Sequence, residues 1–113
     1  MSAAGIDVIS LAVGEPDFAT PAHITQAAID ALNRGETHYA PSRGIPELTN
    51  AVAEKLRREN NIPVDAKQVL VTSGAKDAIR ITMTACLNPG DEVIILDPAW
   101  VSYDPAVKIA RGK

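Results

Sequence analysis

The sequence predicts an α/β fold with a parallel or mostly parallel sheet. Residues 69–72 and 92–97 are short apolar runs without strict polar alternation, which is typical of strands buried on both faces. Between and around them, apolar residues recur at helical spacing. Alternating helices and buried strands indicate helices packed on a parallel sheet.

The N-terminal part of the chain predicts an extended segment, a turn and a helix. Residues 6–13 are apolar and extended in character, and residues 14–18 contain the Gly and Pro of a turn. Thr20 is the expected N-cap of the helix, with Pro21 at its first position and Gly35 at its end. Its buried stripe is expected to comprise Ile24, Ala28, Ala31 and Leu32.

A polar loop over residues 36–44, with Tyr39 exposed at its middle, leads to a second helix. Pro46 begins this helix, which is predicted to run to about Asn60. Leu48, Val52 and Leu56 mark its expected inner face, and Glu54 and Arg58 form an i, i+4 ion pair outside.

The most informative stretch is a strand that turns through Ser73 and Gly74 into a third helix. Such a turn leaves free backbone N–H groups at the positive end of the helix dipole, which favours a phosphate. Ser73 adds a hydroxyl donor, and Gly74 lets the backbone approach the anion. The alternative is an ordinary N-cap at Thr72 or Ser73. The glycine spacings of a P-loop or a dinucleotide fingerprint are absent from the sequence.

After the third helix, residues 88–91 predict a turn before the second strand. A short helix is expected over about residues 105–110, and Gly112 is expected to end it before another strand. Two strands alone make a poor sheet with two open edges. We therefore expect the chain to be a piece of a longer protein.

Bulk composition narrows the class of protein. The 113 residues are 46% hydrophobic and 22% charged, as in an ordinary globular domain. A net charge of −3 argues against nucleic acid or an anionic membrane as partner. The single cysteine, Cys86 on the apolar face of the third helix, fits a reducing compartment. No secretory signal, membrane-spanning run or metal-ligand spacing is visible, so we expect a cytoplasmic protein without a metal site.

Six short motifs stand in order along the chain: Gly14-Glu15-Pro16-Asp17-Phe18, His38-Tyr39-Ala40-Pro41, Gly44-Ile45-Pro46-Glu47-Leu48, Thr72-Ser73-Gly74-Ala75-Lys76, Asn88-Pro89-Gly90-Asp91-Glu92-Val93 and Pro98-Ala99-Trp100-Val101-Ser102-Tyr103. Their order and spacing closely resemble the N-terminal third of the class I aminotransferases, the aspartate aminotransferase-like enzymes that use pyridoxal 5′-phosphate. The resemblance implies part of the large domain of fold type I, an α/β/α domain that is incomplete here. It also implies that residues 1–20 associate with a small domain and that residues 21–113 belong to the large one.

The resemblance implies a role for several residues. Gly14 matches a glycine that contacts the substrate carboxylate, and the turn of Ser73, Gly74 and Ala75 matches the cradle of the cofactor phosphate. Trp100 matches the aromatic residue that stacks on the pyridine ring and borders the substrate. Tyr39 matches a tyrosine that reaches the neighbouring subunit's phosphate in a homodimer. The alternatives are a plain turn glycine, an ordinary loop tyrosine and a tryptophan that caps a small core.

The family's catalytic lysine, its pyridine-binding acid and its carboxylate-binding arginine lie downstream of these motifs. Lys76, beside the predicted phosphate site, is not expected to replace that lysine, and Asp97 does not match the acid. In this family the first two large-domain strands are not neighbours, so neither should find its partner within the chain. We expect an inactive, poorly stable fragment of an aminotransferase acting on an amino acid such as aspartate and a 2-oxo acid. The alternatives are a related lyase or synthase, or a non-catalytic module for phosphate binding or dimerisation.

Overall fold

The computed structural model describes Gly5, residues 7–9 and residues 14–113. The chain forms two compact units, residues 1–39 and residues 40–113. Most of the extended segment expected over residues 6–13 lies outside the described residues.

The first unit contains helix α1 (Ala22–Asn33). Pro21, not Thr20, holds the N-cap position, and its carbonyl accepts hydrogen bonds from the Ile24 and Thr25 amides at 2.9 and 3.1 Å. Gly35 follows the helix with a positive φ of 80°, in agreement with its predicted role as the stop.

The predicted buried stripe of α1 is wrong for this structure. No residue of the helix is buried, and Ile24 and Leu32 are 51% and 62% exposed. The stripe is apolar at helical spacing, but the described residues of this unit supply no surface that covers it.

The second unit contains α2 (Pro46–Asn60), a 3₁₀ helix (Ala66–Gln68), α3 (Ala75–Cys86) and α4 (Tyr103–Ile109). The bounds of α2 agree with the prediction, and the Glu54–Arg58 pair forms at 3.6 Å. Its buried residues are Thr49 and Ala53. Each lies one residue after a member of the inner face that the larger apolar residues predict. The helix packs against the 3₁₀ helix, which the sequence reading missed, and α3 packs against α4.

The two predicted strands are present as extended segments but not as paired strands, and no strand forms among the described residues. Lys113 makes the beginning of a pairing with the second extended segment. Its N–H donates to the Asp91 carbonyl, and its carbonyl accepts from the Val93 N–H, both at 2.8 Å. This is the hydrogen-bond pattern of the first rung of a parallel pair. Apart from that rung, the described residues bear out the expectation that both segments lack ladder partners in this chain.

Little of the described chain is buried. The buried apolar residues are Ala53, Val69, Ala106 and Val107. The chain has an accessible surface of 9771 Å², whereas a folded protein of this mass exposes about 5,900 Å². Cys86 is also exposed, because the apolar face of α3 on which it lies is only partly covered.

The segment before Asp97 shows which surface is uncovered. Its side chains alternate, with Val93 and Ile95 half-buried and Ile94 and Leu96 exposed by 92% and 85%. One face of a strand with this sequence therefore packs within the chain, while its other apolar face meets no described residue that buries it.

Candidate functional site

The turn before α3 is built by local hydrogen bonds and a glycine conformation. The Gly74 N–H donates to the Thr72 carbonyl at 2.8 Å, and the Thr72 hydroxyl donates to the Gly74 carbonyl at 3.0 Å. Gly74 has φ 86° and ψ 171°, a region that is nearly restricted to glycine. Gly74 also holds the N-cap position of α3, whereas the simple alternative drawn from the sequence places the N-cap at Thr72 or Ser73.

Three backbone amides at the start of α3 are free to bind an anion. The first helical hydrogen bond runs from the Ala78 N–H to the Gly74 carbonyl at 3.2 Å. The amides of Ala75, Lys76 and Asp77 donate to no acceptor among the described residues. They lie at the positive end of the helix dipole, where a phosphate is stabilised by both the donors and the dipole.

The free amides correspond only in part to the predicted cradle of Ser73, Gly74 and Ala75. The Gly74 amide is occupied by Thr72, whereas those of Ser73 and Ala75 have no acceptor among the described residues. The described donors therefore extend into the first turn of the helix, past the residues that the sequence motif marked.

A positive charge accompanies these amides. The Lys76 ammonium forms no ion pair with any described carboxylate, and it lies 5.4 Å from the centre of the Trp100 ring. Asp77, in the same helical turn, pairs with Arg80 at 2.8 Å. The Arg80 guanidinium thus offsets the one carboxylate in this turn, and the charge of Lys76 remains to favour an anion.

Trp100 lies beside the start of α3, although it belongs to a different segment of the chain. The chain passes the cis peptide bond between Asp97 and Pro98 before it reaches the indole. The ring meets Tyr103 edge to face, with centroids 5.7 Å apart and planes at 89°. Trp100 is 43% exposed, so the indole is not enclosed in a core, as the core-capping alternative would have it.

Gly14 and Tyr39 belong to the first unit. Tyr39 is fully exposed, and a Cβ added at Gly14 would meet no atom within 4 Å. Among the described residues, neither has a local contact that assigns it a role, so the substrate contact of Gly14 and the intersubunit contact of Tyr39 stay predictions.

The proximity of Lys76 to Trp100 was missed by sequence reasoning, which weighed Lys76 only as a substitute for a catalytic lysine. The signal available in the sequence was a lysine two residues after the Ser-Gly turn.

Among the described residues, no cluster of three His, Cys, Asp or Glu could hold a metal ion. In that same part of the chain, no helix is long and apolar enough to cross a membrane.

Known proteins resemble the chain along its length. The sequence model of the Aminotransferase class I and II family matches residues 6–113. The aspartate/prephenate aminotransferase of Thermus thermophilus is 52% identical over 108 residues, which cover 96% of this chain and 28% of that protein. The aspartate aminotransferase of Pyrococcus abyssi is 53% identical over 113 residues, covering 98% and 29%.

Solved structures agree with the sequence matches. A single mutant of Thermus thermophilus aspartate aminotransferase superposes with a TM-score of 0.94 at 49% identity, over 99% of this chain and 29% of that one. The aspartate aminotransferase of Rhizobium meliloti gives a TM-score of 0.92 at 49% identity, over 100% and 28%. The chain thus spans a little over a quarter of the length of these relatives.

Proposed function

Because this chain belongs to the class I and II aminotransferases, we propose that it supplies the cofactor-phosphate site of an enzyme that moves an amino group between an amino acid and a 2-oxo acid. The observation that carries the proposal is the group of free amides at Ala75, Lys76 and Asp77, with the Lys76 charge and the Trp100 ring beside them. The family match and the structural neighbours also confirm the predicted fold class, an incomplete part of the aspartate aminotransferase fold.

The residues fit pyridoxal 5′-phosphate, on which this family generally depends. A phosphate needs several donors and a positive field, and the start of α3 offers three free amides and an unpaired ammonium among the described residues. A pyridine ring needs a flat apolar surface, which the exposed part of the indole offers. When bound, the cofactor supplies the electron sink for amino-group transfer.

Each residue of the site then has a physical task. The amides of Ala75, Lys76 and Asp77 bind phosphate oxygens, and the Ser73 hydroxyl adds a donor. Gly74 holds the turn in a conformation that other residues adopt only under strain. Trp100 orients the cofactor ring and borders the substrate.

The remaining parts of the proposal concern the whole enzyme. Gly14 contacts the substrate carboxylate, and Tyr39 reaches the partner subunit's cofactor phosphate in a cytoplasmic homodimer. The catalytic lysine lies in the part of the relatives that this chain does not match. A free-standing phosphate-binding module is disfavoured by the large uncovered apolar surface described above.

The experiment restores the unmatched part from a relative. In a chimera, this chain replaces the matching 28% of the Thermus thermophilus enzyme. Quenching of tryptophan fluorescence is titrated with pyridoxamine 5′-phosphate and with pyridoxamine, which lacks the phosphate. We expect the phosphate to tighten binding by about a hundredfold or more, as several charge-assisted hydrogen bonds do.

Gly74→Asp should abolish most of that preference, because it strains the turn and brings a carboxylate to the phosphate. Gly35→Asp is the matched control, since Gly35 has a similar φ of 80° and open space around it. Equal binding of both ligands by the parent chimera, a chimera that does not fold, or an unchanged preference in Gly74→Asp would contradict the phosphate assignment.

A further inference from the structure

We propose that Gly44 is a positioning residue for the phosphate site, because its close approach to Val71 fixes the segment that carries the turn before α3. This inference rests on the proposed function and adds a residue from the loop before α2. Gly44 and Val71 both belong to the second unit, and neither lies in the turn itself.

The segment over residues 69–72 is held by few backbone bonds. Val69 donates locally to the Ala66 carbonyl at 3.2 Å, and no ladder forms along the segment. Beyond that, the described structure gives one backbone hydrogen bond between this segment and a distant residue, from the Val71 N–H to the Arg43 carbonyl at 3.0 Å. The Arg43 guanidinium also donates to the Lys67 carbonyl, just before the segment. Arg43 therefore holds this stretch at two points.

Gly44 completes the attachment by packing against the Val71 side chain. A Cβ added at Gly44 would lie 2.7 Å from Val71 Cγ2, closer than real Cβ atoms come to their neighbours, and 3.0 Å from Val71 Cβ, which is tighter than most real Cβ contacts. Thr49 Cγ2, from the first turn of α2, would lie 3.6 Å away. Gly44 also has φ 102°, so a side chain at this position meets both a clash and backbone strain.

The consequence for the phosphate site follows from distance along the chain. Val71 is followed directly by Thr72, whose carbonyl and hydroxyl make the two hydrogen bonds of the turn with Gly74. A side chain at position 44 requires a shift at the contact with Val71, and an extended segment without ladder bonds passes a shift of Val71 to the turn. The amides of α3 would then lose their alignment toward one phosphate.

The test uses the full-length chimera, freed of cofactor and titrated with the same two ligands. Gly44→Ala should weaken binding of pyridoxamine 5′-phosphate about tenfold or more and leave pyridoxamine nearly unchanged. Gly90→Ala is the control, since Gly90 has a similar φ of 90° but no atom within 4 Å of an added Cβ. It should preserve the phosphate preference within about twofold.

Two further variants separate positioning from general destabilisation. Gly44→Ala combined with Val71→Ala should recover most of the phosphate preference, because the atom 2.7 Å from the new Cβ is removed. Val71→Ile, which enlarges the same contact without changing the glycine, should weaken the preference severalfold even if Gly44→Ala does not fold.

Failure of this inference is distinct from failure of the proposed function. A parent chimera with no phosphate preference overturns both. A parent with the preference overturns the role of Gly44 alone if Gly44→Ala matches Gly90→Ala, if Val71→Ala gives no recovery, or if both ligands weaken equally. Val71→Ile with an unchanged preference also counts against it.

Discussion

The Lys76 ammonium lies 5.4 Å from the centre of the Trp100 ring. This contact joins the start of α3 to the segment that follows the second extended run, two elements 24 residues apart in sequence. An exposed cation–π contact of this kind contributes about 0.5–1 kcal/mol. Its larger consequence is geometric, because it brings a cation, free amides and a flat aromatic surface into one place.

Removing the Lys76 charge should weaken phosphate binding. In the chimera, we expect Lys76→Met to raise the dissociation constant of pyridoxamine 5′-phosphate by about three- to tenfold, since an opposite charge near the anion is lost. The loss should shrink at high salt, because exposed charges are screened. Fluorescence titration at low and high ionic strength measures both effects.

Lys55→Met serves as the control for that experiment. Lys55 lies on α2, where its ammonium pairs with Glu59 at 3.8 Å, and it does not contact the candidate site. An equal loss of affinity in the two lysine variants would show that overall charge, not the position of Lys76, governs binding.

The Trp100 ring should contribute through its aromatic face. Trp100→Ala is expected to weaken binding of both pyridoxamine and pyridoxamine 5′-phosphate by about tenfold, because stacking does not depend on the phosphate. Trp100→Phe should lose less, since a smaller aromatic face remains. Ligand absorbance in equilibrium dialysis gives the affinities without the indole signal, and unchanged binding in Trp100→Ala would remove Trp100 from the site.

The 113-residue chain by itself should be poorly stable and inactive. Only four apolar residues are buried among those described, too few to offset the conformational entropy of ordering the chain. We expect a broad urea transition by circular dichroism and strong binding of a hydrophobic dye. A sharp cooperative transition together with transaminase turnover would contradict this expectation.

The exposed apolar face beside Asp97 leads to different predictions for the 113-residue chain alone and for the chimera. Ile94 is 92% exposed, so Ile94→Thr should leave the helical content of the 113-residue chain unchanged. In the chimera, the rest of the enzyme should cover this face, and Ile94→Thr should then cost about 1–3 kcal/mol of unfolding free energy.

Val107→Thr is the matched comparison, because Val107 is only 3% exposed and lies in α4. It should reduce stability in both contexts. Thermal and urea unfolding of the two variants, each in both proteins, tests the idea. No effect of Ile94→Thr in the chimera would mean that this face stays uncovered.

Helices were predictable from the sequence where local signals were strong. Pro46 and the apolar period defined α2 to its final residue, and Gly35 marked the end of α1. The Ser-Gly turn located the start of α3. These features depend on propensity, φ preference and capping, which act within a few residues.

Burial was less predictable because it depends on partners distant in sequence. The stripe around Leu32 is apolar yet exposed, and the run containing Ile94 is extended without a ladder. The contact of Gly44 with Val71 also escaped the sequence, since nothing local to a glycine in a loop reveals which side chain it will meet.

The most direct test of the central claim is turnover by the chimera in which this chain replaces the matching part of the Thermus thermophilus enzyme. Amino-group transfer from aspartate to 2-oxoglutarate is measured after loading with pyridoxal 5′-phosphate. If the chain supplies a working phosphate site, kcat/KM should stay within about tenfold of the parent enzyme, a loss of no more than about 1.4 kcal/mol in transition-state stabilisation. A folded, cofactor-loaded chimera with no detectable transfer would contradict the account, and lyase or synthase chemistry would then be the next activity to assay.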